Sequence, residues 1–363
     1  MNDHYYAVIM AGGGGTRLWP VSRKNFPKQL FRLTNDQSLY QMAIKRLNGI
    51  FPPKRIFIVT VADQVETLKM ECADIPDENF LIEPAPRGTA SVVGLAAAFI
   101  KSFDKEGVMA VLTADHVIEN VSLFQELLQS AYTAACEGSL VTLGIEPTYP
   151  STGYGYIESG RILDEIDGHK VLQVNRFVEK PNFEKAQEFL NHGGYYWNSG
   201  MFVWRADRIL DEFKVQMPIL FTTLELLSSV MGQPGFSEML NEKWVNIAPQ
   251  TIDYGIMEHA GNVVVIPARG LGWSDVGSWD SLVDFLEKDG NGNIVIGNQS
   301  ILLDTKDTTI YQSAAGRLCA VIGVKDFVIV DTQDALLVCK RGDTQKVRQV
   351  VEILKQKEMH RYI

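Results

Sequence analysis

The sequence predicts an α/β protein, a Rossmann-like and mostly parallel sheet followed by a small C-terminal β-rich segment. Three observations predict it. Short apolar runs alternate with amphipathic stretches through the first half, glycines follow the first run directly, and after Asn291 the texture changes to short β-rich runs. Alternation of strand and helix patterns favours a parallel sheet covered on both faces. In such sheets ligands sit beyond the carboxyl ends of the strands.

Residues 5–10 read as a buried strand that leads straight into the glycines. Ser38 is placed to cap a helix with Leu39, Met42, Ala43 and Leu47 on one face. Strands follow at 55–60 and 80–82, an alanine-rich buried helix at 90–103, a strand at 109–112, a helix at 122–136 and a strand at 140–143. The stretch from 152 to about 286 is less regular, with a strand at 171–178, a helix at 183–191 and an aromatic patch at Tyr195, Tyr196 and Trp197. Short strands are then predicted at 294–296, 301–303, 309–311, 318–322, 327–330 and 335–338. Regularly spaced short strands predict an all-β module, with a β-helix, left-handed in one version, as one form it could take, although no strict repeat is visible. Asp343 is predicted to cap a last helix carrying Val347, Val350, Val351 and Leu354 at helical spacing. That stripe reads as core packing, with a subunit interface as the alternative. The predicted division is 1–288 for a catalytic domain and 289–363 for a β-rich domain with a terminal helix.

The chain has 363 residues, 46% hydrophobic and 21% charged, enough for more than one domain and a sizeable core. Its net charge of −10 argues against a general nucleic-acid binder. A few local cations still suffice for a phosphate pocket. Cys72, Cys136, Cys319 and Cys339 are scattered without a CxxC pair and are expected to be reduced thiols in or near the core. Neither a leader peptide nor a bilayer-spanning run is evident, so a cytoplasmic protein without a membrane partner is expected.

The chemistry concentrates first in AGGGGTRLWPVSRKNFPKQL, residues 11–30. Glycines after a strand allow close backbone approach to a ligand, and their N–H groups can form an anion nest. Arg17 and Lys28 would neutralise a polyphosphate there. The run is not a dinucleotide fingerprint, because the third glycine position is Leu18, and it is not a P-loop, because no GK[ST] follows. Asp115 ends the TAD turn after a strand, and Asp275 lies between Trp273 and Gly277. Each alone is more often a cap or turn residue. Paired beside a polyphosphate loop, two carboxylates suit Mg²⁺, which keeps waters and phosphate oxygens as its other ligands.

The string at 11–30 resembles the signature of the nucleotide-sugar pyrophosphorylases, and LWP at 18–20 with PKQ at 27–29 resembles their mannose-1-phosphate guanylyltransferase branch. Further motifs follow in order: EPAPRGTA from Glu83, TADH from Thr113, FVEKP from Phe177, WNSGMF from Trp197 and WSDVG from Trp273. The resemblance runs from about residue 5 to 290. It departs from the family pattern at Gly88, where Asn is common, and at Thr113, where Pro is usual.

The resemblance implies a nucleotidyltransferase domain and a set of roles. Ala11, Gly12, Gly13, Gly14, Gly15 and Thr16 would bind nucleotide, together with Glu83, Pro86, Arg87 and Thr89 of the guanine-side loop and Asp115. Tyr154, Gly155, Glu179, Lys180 and Asn198 would bind the sugar phosphate, and Asp115 and Asp275 would hold Mg²⁺. Arg17, Lys28 and Lys180 would be catalytic. His116 is equally a structural histidine, and Trp197 and Trp273 read as core rather than sugar platforms. The implied reaction joins GTP and mannose 1-phosphate into GDP-mannose and pyrophosphate by positioning and charge neutralisation. It needs no nucleophile elbow, and no GxSxG is present. The rivals are another base or sugar, and a non-catalytic nucleotide-sugar sensor. Phosphomannose isomerase activity is not expected, because few residues follow position 290. A homodimer through the C-terminal domain is among the expectations.

Overall fold

The structure is a computed structural model that describes residues 2–13, 15–34, 37–282, 286–297 and 300–363. The chain forms two compact units. The first comprises Met1–Gly12, Ala43–Ala114 and Ile118–Trp273, and the second Gly13–Met42, Asp115–Val117 and Ser274–Ile363.

The first unit is built on nine strands: β1 (Tyr5–Met10), β2 (Ile56–Val61), β3 (Phe80–Glu83), β4 (Val108–Thr113), β5 (Leu140–Ile145), β6 (Tyr156–Ile166), β7 (His169–Val178), β8 (Tyr195–Arg205) and β9 (Val263–Pro267). Their order in the sheet is β3-β2-β1-β4-β8-β5-β9-β7-β6. The run β3-β2-β1-β4 and the pair β5-β9 are parallel, whereas β8 and β7 run against their neighbours. Seven of the nine strands therefore point one way, in accord with the predicted mostly parallel sheet. Parallel strands are buried on both faces, so their sequences are continuously apolar. In β1 every residue from Tyr5 to Ile9 is buried, which is why its bounds were legible.

Seven helices accompany the sheet among the described residues of this unit: α1 (Ala62–Glu71), α2 (Thr89–Phe103), α3 (Val121–Cys136), α4 (Phe183–His192), α5 (Ala206–Gln216), α6 (Pro218–Ser229) and α7 (Phe236–Trp244). Asn120 caps α3 by accepting from Leu123 N–H at 3.1 Å, and Asn182 caps α4 by accepting from Lys185 N–H at 2.9 Å. The alanine-rich α2 lies in the core with Ala90, Val93, Ala96, Ala97 and Ile100 fully buried. Trp204, Phe213 and Trp244 fill the same cluster.

The second unit has its own core. Its C-terminal part contains β10 (Ile294–Gly297), β11 (Ser300–Leu303), β12 (Thr309–Gln312), β13 (Cys319–Ile322), β14 (Phe327–Asp331) and β15 (Leu336–Lys340). Strands β10, β12 and β14 stack in parallel, β15 closes against β14 in antiparallel fashion, and β11 pairs β13 in a separate parallel ladder. Ile294 stands opposite Thr309 and Thr309 opposite Val328, so successive strands return to one ladder at unequal spacings. Unequal coils explain why a β-helical arrangement showed no repeat in the sequence.

Several described residues between 13 and 42 share this core. Leu18, Trp19 and Phe31 cluster with Trp279, Val328, Val330, Val347 and Val351. Trp19 Nε1 donates to the Tyr362 carbonyl at 2.6 Å, and the Arg23 guanidinium grips Asp334 at 2.5 and 2.7 Å. Ser38 caps the short helix Leu39–Lys45 as predicted: its Oγ accepts from Gln41 N–H at 3.1 Å while Gln41 Oε1 accepts from Ser38 N–H at 3.0 Å, a reciprocal box. The final helix α8 (Val347–Gln356) buries Val347, Val351 and Leu354, so the stripe is core. Asp343 does not cap it. A short 3₁₀ turn, Thr344–Lys346, intervenes, and the Asp343 carboxylate pairs with Lys346 at 2.7 Å instead.

All four cysteines are free thiols. Cys136 is exposed rather than in the core, and the other three are half-buried. Among the described residues, no helix is long and apolar enough to cross a membrane.

Candidate active site

In the second unit the chain leaves Gly13 and turns at Gly15, whose φ of 55° lies in the left-handed region. A Cβ at Gly15 would collide with the Lys28 side chain. Glycine there lets the Lys28 backbone close in and sets the start of its side chain. The Ser22 hydroxyl donates to the Gly15 carbonyl and braces the same turn. Lys28 itself is buried, and its Nζ donates to Asp115 Oδ2 at 2.7 Å and to the Asp275 backbone carbonyl. Two residues from separate stretches of sequence thus converge on the ammonium group of a third.

The next residue after Asp275 is strained. Val276 is buried and holds a φ of 45°, a region that β-branched residues avoid. Bonds from Val276 N–H to Ser274 Oγ at 3.1 Å and from Gly277 N–H to Asp275 Oδ1 at 2.8 Å maintain the turn. Burial pushes the Asp115 carboxyl up, but the Lys28 ammonium and His116 outweigh it, holding the group below the usual carboxylate range. His116 is buried, with Nε2 4.0 Å from Asp115 Oδ1. Arg17 is half-buried and has no ion-pair partner among the described residues. Gly14 lies outside the described residues.

In the first unit, β1 ends beside β2, where Ala11 N–H donates to the Val59 carbonyl at 2.8 Å and Thr60 Oγ1 donates to the Ala11 carbonyl at 2.9 Å. The Ala11 peptide groups are therefore committed to the sheet. Glu83, the last residue of β3, reaches toward Gly12: a Cβ at Gly12 would lie 3.1 Å from Glu83 Oε1. Glu83 is buried, its Oε2 has no hydrogen-bond partner among the described residues, and burial raises its pKa to about 7 against the pull of the Arg87 N–H. An orphaned buried acceptor at a strand end marks a place built for a donor.

The loop after Glu83 is clamped by residues 244–252. Trp244 Nε1 donates to the Ala85 carbonyl at 2.8 Å, Gln250 N–H to the Arg87 carbonyl at 3.0 Å, and Ala90 N–H to the Gln250 carbonyl at 3.1 Å. Ile252 N–H donates to Thr89 Oγ1 at 2.9 Å, and the Arg87 guanidinium donates to the Val245 carbonyl at 2.9 Å. Gly88 adopts a φ of 84°, and a Cβ there would strike the Gln250 carbonyl, which accounts for glycine at this position. Pro86 is exposed at the loop tip.

The predicted sugar-phosphate residues come together in this unit. Glu179 follows β7 directly, and its carboxylate packs against the Gly155 backbone so closely that a Cβ would not fit. Asn198 N–H donates to the Gly155 carbonyl at 2.8 Å. Lys180 Nζ lies 3.3 Å from Glu179 Oε2, and the Lys180 backbone carries a φ of 42°. Tyr154 packs its ring 5.0 Å from Trp197 and 5.3 Å from Trp273. The ladder of β8 with β5 holds as far as Asn198, opposite Gly144, and its register then breaks before Phe202, with Gly200 at φ 68°. Sequence reasoning missed Asp253, whose Oδ1 accepts from Asn198 Nδ2 at 2.6 Å, and Gln250. The signal for Asp253 was only its place in TIDYGIM, with no motif to single it out.

A nucleotidyl transferase family model matches residues 6–292, and a model of the MannoseP isomerase/GMP-like beta-helix domain matches residues 298–354. The mannose-1-phosphate guanylyltransferase of Salmonella montevideo is 40% identical over 98% of this chain and 75% of its own length. The chain belongs to the mannose-1-phosphate guanylyltransferase family. The mannose-1-phosphate guanylyltransferase of Escherichia coli strain K12 is 38% identical, again over 98% of this chain and 75% of its own. A crystal structure from Thermus thermophilus, described as mannose-1-phosphate geranyltransferase, superposes with a TM-score of 0.85 at 33% identity, covering 97% of this chain and 99% of that one. A Helicobacter pylori structure described as mannose-6-phosphate isomerase covers 75% of this chain and 99% of its own at 26% identity, with a TM-score of 0.61. The guanylyltransferase family thus accounts for both the sheet domain and the β-helix-like segment.

Proposed function

We propose that this guanylyltransferase joins GTP and mannose 1-phosphate, in the cytoplasm, to give GDP-mannose and pyrophosphate. A phosphate oxygen of the sugar attacks the α-phosphorus of GTP, the bond from that phosphorus to the bridging oxygen breaks, and the electron pair leaves with pyrophosphate. The nucleophile is already anionic, so no strong base is required. The observation that carries this reading is the convergence of Lys28, Asp115 and Asp275 on one point.

Two carboxylates with hard oxygen donors and room for further ligands fit Mg²⁺. Asp115 and Asp275 would hold the ion, and when bound it supplies charge neutralisation between the two anionic substrates. Lys28 and Arg17 stabilise the departing pyrophosphate charge. Gly12, Gly13, Gly14, Gly15 and Thr16 offer the approach to the phosphates, with Ala11 fixing the strand end that leads into them. Glu83 accepts from the guanine N1–H and amino group, while Pro86, Arg87 and Thr89 shape the loop beside it. Lys180 orients the sugar phosphate, Glu179 and Asn198 bind sugar hydroxyls, and Tyr154 with Gly155 lines that pocket.

We assign catalysis to residues 1–288 and a structural role to 289–363. In the latter, Ile301, Leu303 and Ile322 are exposed on β11 and β13, with Leu303 opposite Ile322. An apolar strip of this kind favours a partner surface, and a second copy of the chain is the proposed occupant. Mg²⁺-dependent pyrophosphate release from GTP plus mannose 1-phosphate tests the reaction. Silence with every nucleotide and sugar phosphate would leave the sensor reading instead.

A further inference from the structure

Asn198 reaches the sugar cluster at both ends of its carboxamide. Its Nδ2 donates to Asp253 Oδ1 at 2.6 Å, and its Oδ1 accepts from Gly200 N–H at 3.0 Å. A backbone N–H can only donate and an ionised carboxylate can only accept. Together they permit one amide orientation and forbid the flipped one. We propose that Asp253 is a positioning residue for the sugar phosphate, locking the Asn198 carboxamide in the orientation that meets a sugar hydroxyl.

Asp253 is built for that task. It opens a π-helical turn, Asp253–Met257, a rare distortion that re-aims side chains and recurs at functional sites. Its partner Asn198 is the last β8 residue paired with β5, at Gly144, before the register break. The backbone of Asn198 is tied to Gly155, against which the Glu179 carboxylate rests, so the amide and the acid beside it belong to one rigid cluster. Holding a second carboxylate near Glu179 is costly: burial and the Glu179 charge raise the Asp253 pKa to about 6, opposed by Asn198 and by Lys180. A packing role would be served as well by a neutral side chain. An acid retained at this cost serves its strong, acceptor-only bond to Asn198.

The inference rests on the proposed sugar side of the reaction, and the experiment keeps the two apart. Wild type is first assayed for its preferred nucleotide and sugar 1-phosphate. If that pair is not GTP and mannose 1-phosphate, the proposed function fails, and the variants are assayed with the preferred pair. Asp253→Asn keeps the shape but can donate or accept, so it removes the charge-assisted half of the lock and leaves only the Gly200 N–H to oppose the flip. The KM for the sugar phosphate should rise roughly tenfold or more, as for loss of a charge-assisted hydrogen bond. The KM for the nucleotide and the melting temperature should hold. In an Asn198→Ala background the same change should add less than about twofold, because the partner is already gone. Asp253→Ser should match Asp253→Asn. An unchanged sugar KM, a parallel rise in both KM values, a full effect without Asn198, or failure of both variants to fold would each overturn the proposal.

Discussion

Lys28 Nζ lies 2.7 Å from Asp115 Oδ2 and also donates to the Asp275 backbone carbonyl, so a single buried cation ties the glycine-loop arm to the carboxylate of one proposed metal-binding residue and the backbone of the other. Lys28→Ala should remove the ammonium and leave Asp115 without its counter-charge. Turnover should fall on the order of a hundredfold, as for loss of one key electrostatic donor. Steady-state pyrophosphate release checks this, and an unchanged kcat/KM would remove Lys28 from the chemistry.

Gly15 holds the backbone against Lys28. An alanine at its φ of 55° should cost roughly 1–2 kcal/mol from backbone conformation, with the collision against Lys28 added. Gly15→Ala should therefore lower both stability and turnover. Gly13, where a Cβ meets nothing within 4 Å and φ is not positive, should tolerate alanine without loss of stability. Urea unfolding of the two variants side by side makes the comparison.

Glu83 predicts a pH dependence. Burial raises its pKa from 4.5 to about 7 in the folded protein. The folded state thus prefers the protonated form, so this contribution to stability is full below pH 4.5 and is lost as pH rises to 7, by on the order of 3 kcal/mol. Glu83→Gln should remove that loss, making the variant more stable relative to wild type at pH 8 than at pH 4.5. It should also weaken GTP binding at pH 8, where the carboxylate would accept from guanine. Denaturant melts at the two pH values, with GTP titrations at pH 8, test both halves.

The strip formed by Ile301, Leu303 and Ile322 predicts self-association. Leu303→Lys with Ile322→Glu should shift the protein to a smaller species in light scattering while leaving turnover within about twofold, since both side chains are exposed on β11 and β13. A wild-type chain that scatters as a monomer at micromolar concentration would remove the proposed dimer.

The parallel half of the sheet was legible because burial on both faces leaves apolar runs such as Ala7, Val8 and Ile9, with nothing polar to blur the bounds. The long antiparallel β6 was not, because Arg161, Ile162, Leu163 and Asp164 are all exposed and carry no alternation. At the site, Lys28, Asp115, Glu179 and Asn198 stood out by chemical type beside motif glycines. The groups that hold them did not. Asp253 acts through Asn198, Gln250 through its backbone, and Val276 through a strained φ, and none of these shows in residue type or spacing. The failed Asp343 cap has a similar origin, since a 3₁₀ turn inserts before the helix and the carboxylate finds Lys346 first.

The central claim is guanylyl transfer to mannose 1-phosphate. Pyrophosphate release measured across GTP, ATP, UTP and dTTP against mannose, glucose and heptose 1-phosphates, with and without Mg²⁺, tests it most directly. The account predicts the highest kcat/KM for GTP with mannose 1-phosphate and none without the metal. A best rate with UTP or ATP, or full activity in the presence of a chelator, would contradict it.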